Sequence, residues 1–456
     1  MTHSIGDSFM ASAAERFFLE RHVNPDALGV PVGFRIEVAA TGLNNPSSID
    51  FDEEGSIYIG EMGSPTASAC EPGRIVRVRP DGSSEVAASD FSGSITGLVY
   101  YQGAFYAVEH GHPGRVYRVY EDGTRDVLVD GLPGGGDHPT SGIVVAHSER
   151  LYFGQGTRTN AGVVGPDDAW LGDHPELCDI PGADITLTGR NFESPNPFRP
   201  GTVLTGAFEP FGTASREGGL VKGEIRCSGA IMRVDPDGGE FELFAWGFRQ
   251  PFGLSVHPDG RIFCTDTGME NRGSRRIADG REYIWQVTEG SWYGWPDYAG
   301  CEPVTHPKFK PPDAGQPEFL LKEHPPLPVK PVAWLPVGSG IAKFDFARSP
   351  LFGSPDTAFV ALMGTIGTQT QAQDPKIVTI DVATGAVDDF ITNRHPGPAS
   401  AYRSGGFERP IAMKFDRTGE AAYILDLGVL GIGPNGTPTT LKNTGVLWRI
   451  SPAVLA

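Results

Sequence analysis

Cysteine is scarce in this chain of 456 residues. Cys70, Cys178, Cys227, Cys264 and Cys301 lie far apart, with no CxxC pair for zinc and no CxxCH for covalent haem, and an odd number cannot all pair internally. They read as a mostly reduced set, in which a pair among Cys178, Cys227 and Cys301 would bridge only in an exported protein. Long apolar runs are missing too. Stretches such as Gly142–Ala146 and Ala358–Met363 fall far short of the roughly 18 residues that cross a bilayer, so no transmembrane helix is expected. Basic charge is in deficit: 37 Lys and Arg stand against 56 Asp and Glu, a net −19. Such a surface repels phosphate backbones and anionic headgroups, which excludes nucleic acid and membrane as expected partners.

Glycine (61) and proline (39) are plentiful, yet remain below the roughly 25–30% that marks low complexity, and 39% hydrophobic residues supply a core. At the amino end, Ser8–His22 has apolar residues at helical spacing, interrupted by Glu15 and Arg16, unlike the apolar centre of a signal peptide. Residues 1–33 are therefore expected to be a helical extension packed on the main domain. The chain as it stands reads as cytoplasmic, or as periplasmic or secreted where a leader has been removed.

Self-similarity organises the rest. Pro46 to Glu61 and Pro251 to Asp266 both place fifteen positions between a proline and an acid, with Ile49, Phe51, Ile57 and Ile59 matching Leu254, Val256, Ile262 and Cys264. Each is an alternating hairpin around a turn of Asp, Glu and Gly. Four further copies begin near Gly97, Gly142, Gly340 and Ile411, and most are followed by a third strand such as Arg74–Val78 or Ala230–Val234. Four short antiparallel strands per unit signal a propeller blade. The last unit stops after its third strand, while Phe34–Ala40 is an orphan fourth strand, so the two are expected to meet and close the ring, removing an open sheet edge. The expected fold is all-β: a six-bladed β-propeller over 34–456, with insertions near 156–224 and 290–337 building the rim of a cleft.

The residue before each innermost strand points at the channel mouth. Four units have an X-Pro dipeptide there, Asn45-Pro46, His138-Pro139, Gln250-Pro251 and Arg409-Pro410, with Asp137 and Arg249 one step earlier. Proline fixes the angle of the strand, and the polar X residues then face the axis, where a dry wall would be costly without partners; the plainer reading is that X-Pro only starts strands. His138, beside Asp137, suits general-base work, against the alternative of a hydrogen-bonded wall histidine. Arg249 and Arg409 would offer planar donors to an anionic ligand. Glu61, Glu109, Asp266 and Asp426 recur at hairpin ends and would either hold a hard cation such as Ca²⁺ or cap backbone amides. His110 and His112 resemble a metal pair at i, i+2, a weak signal in a glycine-rich loop, and are by default solvated loop histidines.

The stretch Ala245–Gly268, followed by Glu282–Val287 and Tyr293–Pro296, resembles the glucose/sorbosone dehydrogenase family, which includes soluble quinoprotein glucose dehydrogenases and aldose sugar dehydrogenases. The resemblance spans about Phe34 to Pro452. It implies a six-bladed propeller that oxidises sugar hydroxyls or aldehydes with pyrroloquinoline quinone (PQQ) and Ca²⁺. On these terms Asp137 and His138 match the family's Asp-His pair, whose histidine takes the substrate's hydroxyl proton. Arg249 and Arg409 match arginines that bind the quinone, Gln250 and Asn45 line the same site, and the carbonyls of Gly268 and Met269 match the calcium loop. Gln250 and Phe407 stand where the family carries Asn and Arg.

The leading expectation is thus a PQQ-dependent oxidoreductase for a small carbohydrate-like substrate, passing electrons to an unnamed acceptor, with Trp292, Tyr293 and Trp295 either stacking on the sugar or filling the core. The alternatives are a Ca²⁺-dependent, lactonase-like hydrolase or lyase at the same mouth, and a binding propeller without catalysis.

Overall fold

Alternating apolar residues fold the chain into short antiparallel strands, and the glycines of the repeat let those strands crowd around one axis. The computed structural model describes residues 21–63, 72–327, 330–366, 372–432 and 438–453. Six sheets, five of four strands and that of blade 5 with a fifth added at its outer edge, have innermost strands Pro46–Phe51, Ser94–Tyr101, Thr140–Val145, Pro251–Val256, Ile341–Phe346 and Pro410–Phe415, defining blades 1 to 6. Each innermost strand packs against that of the next blade, and the sixth packs against the first. The innermost strands of blades 1, 5 and 6 are buried or nearly so along their whole length, whereas the outer strand Phe34–Leu43 mixes buried with exposed positions. Apolar clusters fill the wedges between blades.

Two glycines show why the repeat carries glycine where it does. A Cβ on Gly142 (φ +51°) would lie 2.7 Å from the Phe252 carbonyl oxygen, and one on Gly253 would lie 2.8 Å from that of Ala342. Only a bare backbone permits such proximity. Lys343, inside the blade 5 innermost strand, spans the channel and donates from Nζ to the carbonyls of Ser47 (2.7 Å) and Thr96 (2.5 Å).

The ring closes as the orphan strand requires. Phe34–Leu43 pairs antiparallel with Gly445–Pro452 as the outermost strand of blade 6, from Phe34 opposite Pro452 to Leu43 opposite Gly445. The expected helix over Ser8–His22 lies almost wholly outside the described residues. Arg21 donates to Asp426 (2.5 Å) and the Gly406 carbonyl, and Leu28–Gly29 adds a fifth strand to blade 5. Between the second and third strands of blade 3 the chain leaves the sheet from Gly156 to Gly229; between the third and fourth strands of blade 4 it does so from Thr288 to Val332. The four described cysteines are free thiols, and no described helix is long and apolar enough to cross a membrane.

The hairpin-end carboxylates cap amides. Glu61 accepts from the Asn44 amide (2.7 Å), Glu109 from Gly93 (2.7 Å), Asp266 from Arg249 and Gln250 (3.1 and 2.7 Å), and Asp426 from Glu408 and Arg409 (2.8 and 2.9 Å). Each thereby holds the loop that feeds its own blade. Burial pushes Asp266 up to about 7, and does the same for Glu282, which caps Gly340 and Ile341, and for Glu408. These raised groups bind protons in the folded state between about pH 4 and pH 7 that the unfolded chain has already released. Their contribution is complete below pH 4 and is lost as pH rises through 7. The melting temperature is therefore expected to be higher at pH 5.5 than at pH 8 in scanning calorimetry, and a flat or rising profile over that interval would refute this assignment.

Candidate functional site

His138 precedes the innermost strand of blade 3 and is 6% exposed. Its Nδ1 lies 2.9 Å from both the carbonyl oxygen and the Oγ1 of Thr157. The Thr157 hydroxyl donates to the Thr159 carbonyl (2.7 Å), so Oγ1 can only accept from the imidazole. The proton is thereby fixed on Nδ1, and the Nε2 lone pair is left without a protein hydrogen bond among the described residues. Burial, followed by the charges of Arg249 and Arg272, holds His138 well below the usual histidine range. The ring is neutral at neutral pH, which a proton acceptor needs.

Asp137 does not orient His138, contrary to the expectation of a working Asp-His pair. Its Oδ2 accepts from Arg272 (2.5 Å) and its Oδ1 from Trp170 Nε1 (3.1 Å). The adjacent carboxylate in sequence diverges because successive loop residues point apart, and the partner of His138 comes instead from the first turn of the blade 3 insertion.

Arg249 reaches the site and commits four of its five N–H groups to protein partners. Nε donates to the Asn160 carbonyl (3.3 Å), Nη1 to Thr267 Oγ1 (2.8 Å), and Nη2 to Asn160 Oδ1 (3.1 Å) and Glu270 Oε2 (2.9 Å). Arg272 bridges Asp137, Asp167 (2.8 Å) and Glu270 (2.7 Å). Burial works to raise Glu270, yet Arg249 and Arg272 hold it below its ordinary value. Asp168 is pushed up to about 9, by burial first and then by Asp137 and Asp167, and keeps its proton at neutral pH. Burial works to raise Asp137 as well, and the guanidiniums of Arg249 and Arg272 are set among the carboxylates of Asp137, Asp167 and Glu270 at the mouth between blades 3 and 4.

The remaining expected residues are dispersed. Gln250 accepts from Thr267 Oγ1 (2.8 Å) at the edge of the cluster. Asn45 is fully buried and donates to the Gly63 carbonyl (2.5 Å), in the loop of its own blade 1. Arg409, on blade 6, donates from Nη1 to the Met363 and Thr365 carbonyls (2.7 and 2.9 Å). Trp292, Tyr293 and Trp295 are core: all three are at most 5% exposed, and their segment runs along the outer strand of blade 3, with Tyr293 stacked on Phe248 at 4.1 Å. Gly268 and Met269 line a cleft with Arg249 and Trp295. The Met269 carbonyl is packed on Gly280, where a Cβ would lie 1.8 Å from it.

Sequence reasoning passed over Thr157, Asn160, Glu270 and Arg272. The available signal was positional: both groups follow a hairpin end, after Gln155 and after Asp266, and the second sits in the charged run Glu270–Arg276.

Compared with solved structures, the chain aligns with a Trichoderma reesei protein of Carbohydrate-Active Enzymes family AA12 at TM-score 0.58 and 15% identity, over 95% of this chain and 100% of that one. It aligns with the PQQ domain of pyranose dehydrogenase from Coprinopsis cinerea at TM-score 0.58 and 14% identity, over 95% and 98%. It shares its fold with these two proteins. A further glucose dehydrogenase matches at TM-score 0.53 and 13% identity, over 92% and 99%. No protein-family profile and no curated protein matches the sequence.

The cofactors expected from the dehydrogenase resemblance can be set against this geometry. PQQ brings three carboxylates. Here Arg249 is engaged with Asn160, Thr267 and Glu270, and Arg272 with three carboxylates, whereas Arg409 on blade 6 bonds to carbonyls only among the described residues. A tricarboxylate beside the carboxylates of blades 3 and 4 is unfavourable, so of the expected cations Arg409 is the one left without a carboxylate partner. Of the two carbonyls expected to hold calcium, that of Met269 faces Gly280 across its own loop.

Proposed function

We propose that the chain is an enzyme acting on a neutral, carbohydrate-like alcohol, an oxidoreductase in which Nε2 of His138 takes the hydroxyl proton while hydride leaves the same carbon. The observation that carries this reading is the fixed tautomer of His138, with Nδ1 bound to Thr157 and Nε2 without a protein hydrogen bond among the described residues. The negative cluster around Arg272 disfavours anionic sugars and favours hydroxyls that can donate to Glu270 and Asp137. It also points to a neutral or cationic two-electron acceptor in place of a tricarboxylate quinone. Fold likeness to sugar dehydrogenases raises the prior for this chemistry without deciding it.

The same base activates water equally well. A lactonase-like hydrolysis is the second reading, favoured by the pairing of Arg249 and Arg272 with carboxylates of the protein itself. Both readings are separated by incubating the protein with a panel of neutral sugars and a cationic phenazinium dye, with and without added PQQ and Ca²⁺, and with sugar lactones in a parallel pH-stat assay. Dye reduction independent of PQQ supports the first reading. Lactone hydrolysis without dye reduction replaces it with the second, and PQQ-dependent reduction with a tightly held chromophore would overturn the charge argument.

A further inference from the structure

We propose that His112, His174 and Glu176 form a binding site for a divalent transition-metal ion, with Zn²⁺ the expected occupant, which fastens the blade 3 insertion to the neighbouring loop of blade 2. One ligand atom from each side chain lies within 4.8 Å of the others, the one such grouping among the described residues. His174 Nδ1 is 3.5 Å from Glu176 Oε1, and the two imidazole rings are 4.6 Å apart. Around a tetrahedral zinc with bonds of about 2.0–2.1 Å, ligand atoms sit about 3.4 Å from one another. One pair therefore already has the spacing. His112 is exposed and meets the His174 ring, so rotation of its side chain closes the set.

The scaffold is formed without an ion. His174 and Glu176 follow the 3-10 turn Ala169–Gly172, and the amides of Asp173 and His174 donate to the Trp170 carbonyl (3.1 and 3.0 Å) while Leu177 donates to that of His174 (3.2 Å). Gly135 leaves room over His112: its φ is +83°, and a Cβ there would lie 3.1 Å from His112 Nδ1. Two imidazoles and one carboxylate select a borderline ion, whereas Ca²⁺ and Mg²⁺ favour all-oxygen shells. Three protein ligands leave a fourth position for water. The ion would act on the candidate site indirectly, because the same turn carries Trp170, which donates to Asp137. This proposal does not depend on which reaction the site performs.

The test uses the full chain without a histidine tag, stripped with EDTA and dialysed. Titration with Zn²⁺ by calorimetry should show one equivalent bound, and Co²⁺ should give the visible d–d bands of a low-coordinate site. His112→Ala and Glu176→Gln should each weaken binding more than roughly 100-fold, since even outer-shell changes cost about 10–100-fold. Zn²⁺ should raise the melting temperature of the parent protein and not of the variants. His112→Gln, closer in size, serves if the alanine variant is misfolded by circular dichroism. Absence of binding at micromolar Zn²⁺, or binding retained in the variants, overturns the site.

Discussion

On the proposed reading, substituting His138 by alanine is expected to lower turnover by about 10²–10⁴-fold, the range that a positioned general base contributes, with the fold retained. The two effects separate because the Thr157 carbonyl still accepts from the backbone amide of residue 138 at 3.1 Å, so truncation strands no buried acceptor. Thr157→Val removes only the Oγ1 that shares Nδ1 and should cost less. The pH profile carries the same signature. Burial and the nearby guanidiniums depress His138, so the acidic limb of kcat/KM lies below the ordinary histidine range near 6.5 and activity stays flat through neutrality. A variant that keeps wild-type turnover on the substrate identified by the panel would remove His138 from the mechanism.

Arg275→Met is expected to destabilise the protein by about 3–5 kcal/mol, the cost of breaking a buried ion pair from one side. Arg275 and Asp297 have side chains 2% and 0% exposed and meet at 2.9 Å. The guanidinium also donates to the carbonyls of Ala161 (3.0 Å), Pro296 (2.8 Å) and Glu318 (2.8 Å), while Asp297 accepts from the amides of Leu320 and Leu321 and faces His324 Nε2 at 3.0 Å. One pair thus ties the blade 4 loop to both insertions. Losing the arginine leaves a carboxylate in the core, whereas Asp297→Asn keeps an acceptor for the amides and should cost less. Urea denaturation of the two variants checks the order. Equal stability of Arg275→Met and the parent would show that the insertions are held by apolar packing alone.

The fold was legible because a propeller repeats its constraints. Each unit needs alternating apolar strands, a glycine where inner strands crowd, as at Gly142 and Gly253, and an acid that caps the incoming loop, as Glu61 and Asp426 do. Those demands recur at fixed spacing, and Phe34–Leu43 could be paired with the last blade on the same logic. The candidate site is not periodic. Thr157 meets His138 across 19 positions, and Arg272 meets Asp137 across 135, distances set by loops with no register to the repeat. Adjacency misled in the same way: Asp137 neighbours His138 in the chain and bonds elsewhere. The aromatic run Trp292–Trp295 was chemically ambiguous, since an indole packs on a sugar or in a core equally well, and only the path of the segment along blade 3 decides for the core.

The pairing of Phe34–Leu43 with Gly445–Pro452 sets a waiting time. Glu37 and its partner Arg449 are 412 positions apart, and at roughly 5–20 residues per second of synthesis the early strand spends on the order of tens of seconds without its mate. An unpaired strand is an invitation to association between chains. Arg35 and Glu37, on alternate positions facing solvent in the finished ring, place opposite charges along that edge during the interval, so the two residues that later form part of an unremarkable outer surface also protect the nascent chain from its neighbours on the ribosome.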